Sequence, residues 1–231
     1  MTISAVFGRS LFTLLLLSGW DLLDPFRAAA QFWRSKGGEI ERIAPLMDLK
    51  LGATVAEIGA GNGSVAIAAA DKVGPSGHVY ATEIDEGQLQ RMRDRVTRSH
   101  LHNVTVVEST AEDTKLPPLC CDLIYMIGVY HHFTEPVKTD ASIFRALKPG
   151  GKLVIVDFRP SFWLKPWTPQ GVPANRGGHG IRPKILEDEL KGAGFKIASV
   201  IEPWGNSWLL NNYCVVFTKP ENGEAIGSLS P

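Results

Sequence analysis

Residues Val55 to Gly63 read Val-Ala-Glu-Ile-Gly-Ala-Gly-Asn-Gly, an apolar strand running directly into alternating glycines, and no other stretch constrains the fold as tightly. The run Ser64 to Ala70 that follows is small and helix-compatible. Gly59, Gly61 and Gly63 therefore lie at a strand-to-helix turn, where a missing Cβ permits positive φ and backbone amides can meet a ligand. A second apolar strand, His78 to Thr82, ends on Glu83. In doubly wound nucleotide-binding sheets an acid roughly twenty residues beyond such glycines accepts hydrogen bonds from ribose hydroxyls. The two signals together make a nucleoside-bound cofactor the leading expectation.

The rest of the chain alternates strands and helices, as a parallel α/β sheet requires. A helix is expected over Ile40 to Met47, a strand over Thr54 to Ile58, and a helix from Ser64 to Lys72 stopped by Gly74-Pro75. After strand His78 to Thr82 come a charged helix over Glu86 to Ser99, strand Val104 to Glu108, strand Leu123 to Met126 and a helix at Pro136 to Leu147. The turn Lys148-Pro149-Gly150-Gly151 launches strand Lys152 to Asp157, whose near-continuous apolar character indicates burial on both faces. Beyond Asp157 prolines and the pair Gly177-Gly178 predict a long irregular loop, and loops after a central strand usually cover a site. Helix Lys184 to Ala193 follows, and Lys196 to Ile201 and Tyr213 to Thr218 read as an antiparallel pair.

At 231 residues and 44% hydrophobic content the chain can bury one sizeable core. Lys+Arg and Asp+Glu are both 24, so there is no global basic field to collect nucleic acid, and a small-molecule or lipid-like partner is expected instead. Cys120, Cys121 and Cys214 are too few and too poorly spaced for a disulfide framework. Residues 1–30 form a distinct N-terminal segment: Arg9, the apolar run Leu11 to Leu17 and Ala28 to Ala30 resemble a secretory signal, whereas Asp21, Asp24 and Arg27 crowd the region before a cleavage site. The readings are a signal or membrane-associating segment, an amphipathic helix capping the domain, or a disordered leader. Cytoplasmic location with membrane association is expected, with export the alternative. The division is 1–30, a domain over 31–219, and a disordered tail over 220–231.

Laid out this way, the chain resembles the class I S-adenosylmethionine-dependent methyltransferases over roughly Phe32 to Lys219, and within them the ubiquinone/menaquinone-biosynthesis type. Glu57-Ile58-Gly59-Ala60-Gly61-Asn62-Gly63 is similar to that family's first motif, and Glu83 to its ribose-binding acid. Ala111-Glu112-Asp113 is similar to the adenine-side loop, Cys121-Asp122-Leu123-Ile124 to the fourth strand, Tyr130-His131-His132-Phe133 to the helix after it, and Leu147-Lys148-Pro149-Gly150-Gly151 to the turn into the fifth. The resemblance implies a Rossmann-like, doubly wound, mostly parallel seven-stranded sheet with an antiparallel last strand. It implies S-adenosyl-L-methionine as cofactor, held by Glu57, Gly59, Ala60, Gly61, Asn62, Gly63, Glu83, Ile84, Ala111, Glu112 and Ile127. The chain departs from the pattern at Thr110, where many relatives carry an aspartate for the adenine amino group; Glu112 or the Ala111 backbone stands in.

On the acceptor side the candidates are Tyr130, His131, His132, Arg159 and His179, which follow the carboxyl ends of central strands or sit in the covering loop. An oxygen nucleophile loses a proton at or before attack, and imidazole suits that work. Against this stands a packing account, in which one of the adjacent histidines points inward and the other meets solvent. His131, His132, His179 and Asp157 match no tight metal-ligand spacing, so no metal is expected. Phe158, Phe162, Trp163 and Trp167 either wall an apolar pocket or pin the loop by burying their rings. The expected function is methyl transfer to a small apolar molecule. An NAD-dependent oxidoreductase, which Gly59-x-Gly61 and Glu83 would also serve, and a non-catalytic cofactor-binding scaffold are the alternatives.

Overall fold

In the computed structural model, residues 38–205 and 211–221 are described. The apolar segment over 1–30, the loop residues 206–210, the tail from 222 and the side chain of Trp163 lie outside them, and so do the expectations placed on them.

A helix α1 over residues 38–47 leads into strand β1 (Thr54–Ile58) and helix α2 (Ser64–Val73). Then come β2 (His78–Glu83), α3 (Glu86–Ser99), β3 (Val104–Glu108), β4 (Cys121–Ile127), α4 (Pro136–Ala146) and β5 (Leu147–Phe158). Helix α5 (Pro183–Gly192) and strands β6 (Lys196–Ile201) and β7 (Asn212–Thr218) close the chain. The seven strands are ordered β3-β2-β1-β4-β5-β7-β6. All neighbours pair in parallel except β7, which runs antiparallel to both β5 and β6.

Strand alternation divides the core. In β4, Leu123, Tyr125 and Ile127 face one side, where they meet Ile40, Ile43 and Met47 of α1 and Val65, Ala66 and Ala69 of α2. Ile124 and Met126 face the other, against Ile143 of α4 and Leu186 and Leu190 of α5. Burial on both faces explains why β4 and β5 read as continuous apolar runs rather than alternating ones. Helix α3 starts where a cap is available: Asp85 Oδ1 accepts from the Gln88 amide at 2.8 Å. Helices α4 and α5 begin on Pro136 and Pro183, where a missing N–H is no loss.

The one substantial revision of the expected elements is at β5. The Lys148-Pro149-Gly150-Gly151 stretch is not a turn outside the strand but its first residues. The Gly150 amide donates to the Lys219 carbonyl at 2.9 Å and the Lys219 amide to the Gly151 carbonyl at 2.9 Å, while Leu147 pairs with Cys121 of β4, so both neighbours hold the early residues of the strand. The irregularity the glycines announce appears as a register shift against β4 between Cys121 and Leu123. A Cβ on Gly151 would come within 2.8 Å of the Asp122 and Lys148 carbonyl oxygens, which is why glycine stands there.

The long loop after β5 is not wholly irregular, since it carries short 3-10 turns at Phe162–Trp167 and Ala174–Arg176. Among the described residues, no helix is long and apolar enough to cross a membrane.

Candidate functional site

The carboxyl ends of β1, β2, β4 and β5 lie side by side, and the candidate residues gather there. The glycine turn follows β1, with φ of +67° at Gly59, +57° at Gly61 and +77° at Gly63. Two of these glycines also serve packing within the chain. A Cβ on Gly59 would sit 2.7 Å from Val129 Cγ1, and one on Gly63 would sit 2.6 Å from Met92 Cγ. The Ala60 amide donates to the Thr82 carbonyl at 2.8 Å, tying the turn to β2, while the exposed Asn62 accepts from the Ser64 amide at 3.2 Å through Oδ1.

Glu83 closes the other side of the turn. Its Oε2 accepts from the Gly61 amide at 2.8 Å, and its Oε1 from the amides of Ile84 and Asp85 at 2.8 and 3.1 Å. The carboxylate thus faces the turn instead of solvent. Beside it Ile84 is 63% exposed, an unusual amount for an isoleucine next to a strand end. Across β1, Glu57 is buried and lies in register with Tyr125 of β4, whose hydroxyl donates to Glu57 Oε2 at 3.3 Å. Burial, then the neighbouring Glu57 charge, pushes the Tyr125 hydroxyl well above its ordinary range. Ile127 ends β4, buried.

At the adenine-side loop, Thr110 acts as a turn former: its Oγ1 accepts from the Asp113 amide at 3.1 Å and the Glu112 amide at 3.4 Å. The Ala111 carbonyl accepts from Thr139 Oγ1 at 2.7 Å, and Glu112 pairs with Lys138 at 3.0 Å with both side chains exposed. Both acceptors therefore already have partners from α4.

The acceptor-side candidates divide. His131, His132 and His179 come together: ring centroids are 4.1 Å apart for His131 and His132, 4.9 Å for His131 and His179, and 5.8 Å for His132 and His179. Asp157, at the end of β5, fixes the first of them. Its Oδ1 lies 2.8 Å from His131 Nδ1 and accepts from the Phe158 amide at 2.8 Å, while Oδ2 accepts from the His131 amide at 3.1 Å. A carboxylate can only accept, so Nδ1 carries a proton, and the neutral imidazole has its lone pair on Nε2. Among the described residues, that Nε2 is buried with no hydrogen-bond partner, as is His179 Nδ1. Burial, then the nearby His131, lowers the His179 pKa to about 4.

Backbone permissiveness puts His179 there. Gly178 and Gly180 take φ of +126° and +108°, and a Cβ on Gly180 would strike the Phe158 carbonyl oxygen at 2.8 Å. The Ile181 amide donates to that same oxygen at 2.9 Å, so the loop returns onto the end of β5 with His179 against the ring of Phe158, 5.5 Å away.

Tyr130 and Arg159 stand apart from this cluster. Tyr130 is fully buried on the α4–α5 side, its Oη 2.8 Å from Asp140 Oδ2 and 2.9 Å from Glu189 Oε2, and its hydroxyl is pushed well above the ordinary range, chiefly by burial. It is a core anchor with no face on the cleft. Arg159 is exposed and pairs with Glu202 at 2.7 Å. Of the aromatic stretch, Phe158 is buried, whereas Phe162 and Trp167 are exposed. Arg176 was not singled out from the sequence, because nothing local marks a buried arginine. It is 1% exposed and donates to Glu189 Oε2 at 2.9 Å.

Two hollows elsewhere are off the chemistry. One of about 390 Å³ is lined by Asp48, Lys50, Asp122 and Lys152 at the amino ends of the strands, the end opposite the glycine turn. The other, of about 300 Å³, lies between the end of α2 and the loop before β3. Parallel sheets bind their ligands at the carboxyl ends, where the glycine turn and histidines are.

The family described as methyltransferase domain matches residues 49–191. The chain is similar to the ubiquinone/menaquinone biosynthesis C-methyltransferase UbiE of Bordetella parapertussis, 34% identical over 152 residues, which is 66% of this chain and 56% of that protein. The chain thus spans little more than half the length of that relative. Among solved structures it is similar to a SAM-dependent methyltransferase from Aquifex aeolicus, 25% identical, with a TM-score of 0.65 over 84% of this chain and 97% of the other. The fold is shared with a Haemonchus contortus phosphoethanolamine N-methyltransferase 2 solved in complex with S-adenosyl-L-methionine, 19% identical, with a TM-score of 0.64 over 82% of this chain and 53% of that one.

Proposed function

The chain belongs to the methyltransferase domain family, and on that footing we propose that it transfers a methyl group from S-adenosylmethionine to a small, apolar acceptor. The observation that carries this reading is the Glu83 carboxylate turned onto the glycine turn, 2.8 Å from the Gly61 amide. A carboxylate has about four acceptor positions. Three are taken by the Gly61, Ile84 and Asp85 amides, so Oε2 keeps one for a ribose hydroxyl. Exposed Ile84 offers an apolar face for the adenine, and Glu57 with the glycine turn serves the methionine end.

Held by Glu57, the glycine turn and Glu83, S-adenosylmethionine would supply an electrophilic sulfonium methyl for attack by the acceptor. The protein's part is positioning, since near-attack alignment removes much of the barrier. His131, fixed by Asp157 with its lone pair on Nε2, faces the acceptor side together with His132 and His179 and is suited to holding or taking an acceptor proton. Phe162 and Trp167, exposed in the loop beyond β5, favour an apolar or lipid-like acceptor. The cytoplasm, where a nucleoside cofactor is at hand, is the location that goes with this reading.

Calorimetry with S-adenosylhomocysteine and with NAD tests the proposal. The former should bind the wild-type chain and NAD should not. Glu83→Gln should lose about 1–3 kcal/mol of affinity, roughly 5- to 140-fold, because a charged acceptor for buried polar groups is removed. Preference for NAD, or equal affinity in Glu83→Gln, would sink the cofactor assignment. Methyl release over a panel of quinols, phenols and lipids then separates an enzyme from a scaffold.

A further inference from the structure

We propose that His131, His132 and His179 bind a divalent transition-metal ion of the zinc class, with Asp157 as the carboxylate that orients the first of them. Each histidine offers one ring nitrogen, and these nitrogens all lie within 4.8 Å of one another. In a tetrahedral site with zinc–nitrogen distances of about 2.0–2.1 Å, ligand nitrogens are separated by roughly 3.4 Å. Coordination would close the remaining distance by rotation of the three side chains.

Three further observations point the same way. Asp157 holds His131 through Nδ1 at 2.8 Å, the arrangement by which carboxylates fix a ligating imidazole and raise its basicity. His131 is 2% exposed, yet among the described residues its Nε2 has no hydrogen-bond partner, and buried His179 Nδ1 has none either. Buried polar atoms left this way call for a partner, and a cation among the rings supplies it. The donors are also held by the backbone: Asp157 accepts the His131 amide, and the loop bearing His179 is hydrogen-bonded to the Phe158 carbonyl.

Imidazole donors select zinc, copper, nickel or iron over magnesium and calcium, which prefer oxygen. Three protein ligands leave a fourth position open, as in catalytic rather than structural zinc sites. The site deepens the methyl-transfer reading by putting an ion on the acceptor side, and rests on that reading only for what the ion would do there. Val129, packed against Gly59, joins the glycine turn to the Tyr130–His132 segment, so an acceptor atom on the ion would lie next to the cofactor cleft. Linear spacing excluded a metal because the ligands come from two segments that only the loop's return brings together.

The test uses the full chain without an affinity tag, stripped with a chelator and titrated with Zn²⁺ by calorimetry and with Co²⁺ by visible absorption. The wild-type chain should take about one equivalent, and Co²⁺ should show the intense bands of a four-coordinate site. His132→Ala and His179→Ala, at exposed and half-buried positions, should each weaken binding about tenfold or more, as should Asp157→Asn. His102→Ala, outside the cluster, should not. No bound equivalent in the wild-type chain, or a smaller loss in either histidine variant, overturns the proposal. S-adenosylhomocysteine binding by the same preparation separates the two readings. Cofactor binding without metal defeats only the ion, and metal binding without cofactor defeats only the methyltransferase assignment.

Discussion

Gly63 shows how one residue can answer two demands. Its φ of +77° is needed to leave β1 and enter α2, and the side chain of Met92 fills the space where a Cβ would be. Gly63→Ala meets both obstacles: left-handed backbone costs roughly 1–2 kcal/mol for an ordinary residue, and Met92 must shift. Urea unfolding should show a loss of about 1–3 kcal/mol. Met92→Ala in the same chain should not restore stability, because the backbone term remains and a cavity is added. The glycines were legible as a turn from sequence, but Val129 and Met92 as the atoms against them were not, since both come from elements far along the chain. His131 gives a similar lesson. Its pairing with Asp157 depends on β4 and β5 ending side by side, which spacing along the chain does not encode.

Between elements, the group formed by buried Tyr130, Asp140 and Arg176 with part-buried Glu189 joins the turn after β4, α4, the covering loop and α5. Tyr130 Oη lies within hydrogen-bond distance of both Asp140 and Glu189, yet one hydroxyl proton serves only one of them. The other contact needs a proton on a carboxyl. Asp140 is the one to hold it, because burial raises its pKa to about 7, whereas Arg176 pairs with Glu189. In the unfolded chain this group titrates near its ordinary value of 3.8. Below that value both states are protonated and the stabilisation is fully present. As pH rises from about 4 to about 7 the unfolded chain releases a proton that the folded chain keeps, so stability falls across that window. Asp140→Asn should flatten this part of the stability–pH profile measured by denaturant unfolding. Persistence of the slope in Asp140→Asn would assign it to another group. A smaller element-level effect is expected at Asp85, where replacement by Ala removes the α3 cap and should cost about 1 kcal/mol.

At the scale of the whole molecule, Trp204 ties the residues after β6 to α1. Its Nε1 donates to Glu39 Oε2 at 2.8 Å and the Arg42 guanidinium lies 4.2 Å above its ring, so the segment between β6 and β7 is fastened to α1. The ring is 7% exposed, and Trp204→Ala should lower stability by about 3–5 kcal/mol in thermal or denaturant unfolding. An effect under about 1 kcal/mol would mean that the ring carries little of this packing. Most of the sheet was legible beforehand: strands β1, β3 and β6 and helix α3 have the bounds their apolar periodicity predicted, because local patterning and caps decide where such elements begin and stop. By itself the sequence determined the alternation of strands and helices, the glycine turn with its acid at the next strand end, and a nucleoside-binding α/β sheet. Those features are written within a few residues of one another, in hydrophobic period and backbone permissiveness. Only the tertiary structure decided that β5 reaches back to Leu147, that Tyr130 is sealed in the core, and that three histidines and Asp157 share one corner. Each of these depends on which strands lie side by side and where a long loop returns, and contacts between distant segments are set by packing rather than by spacing.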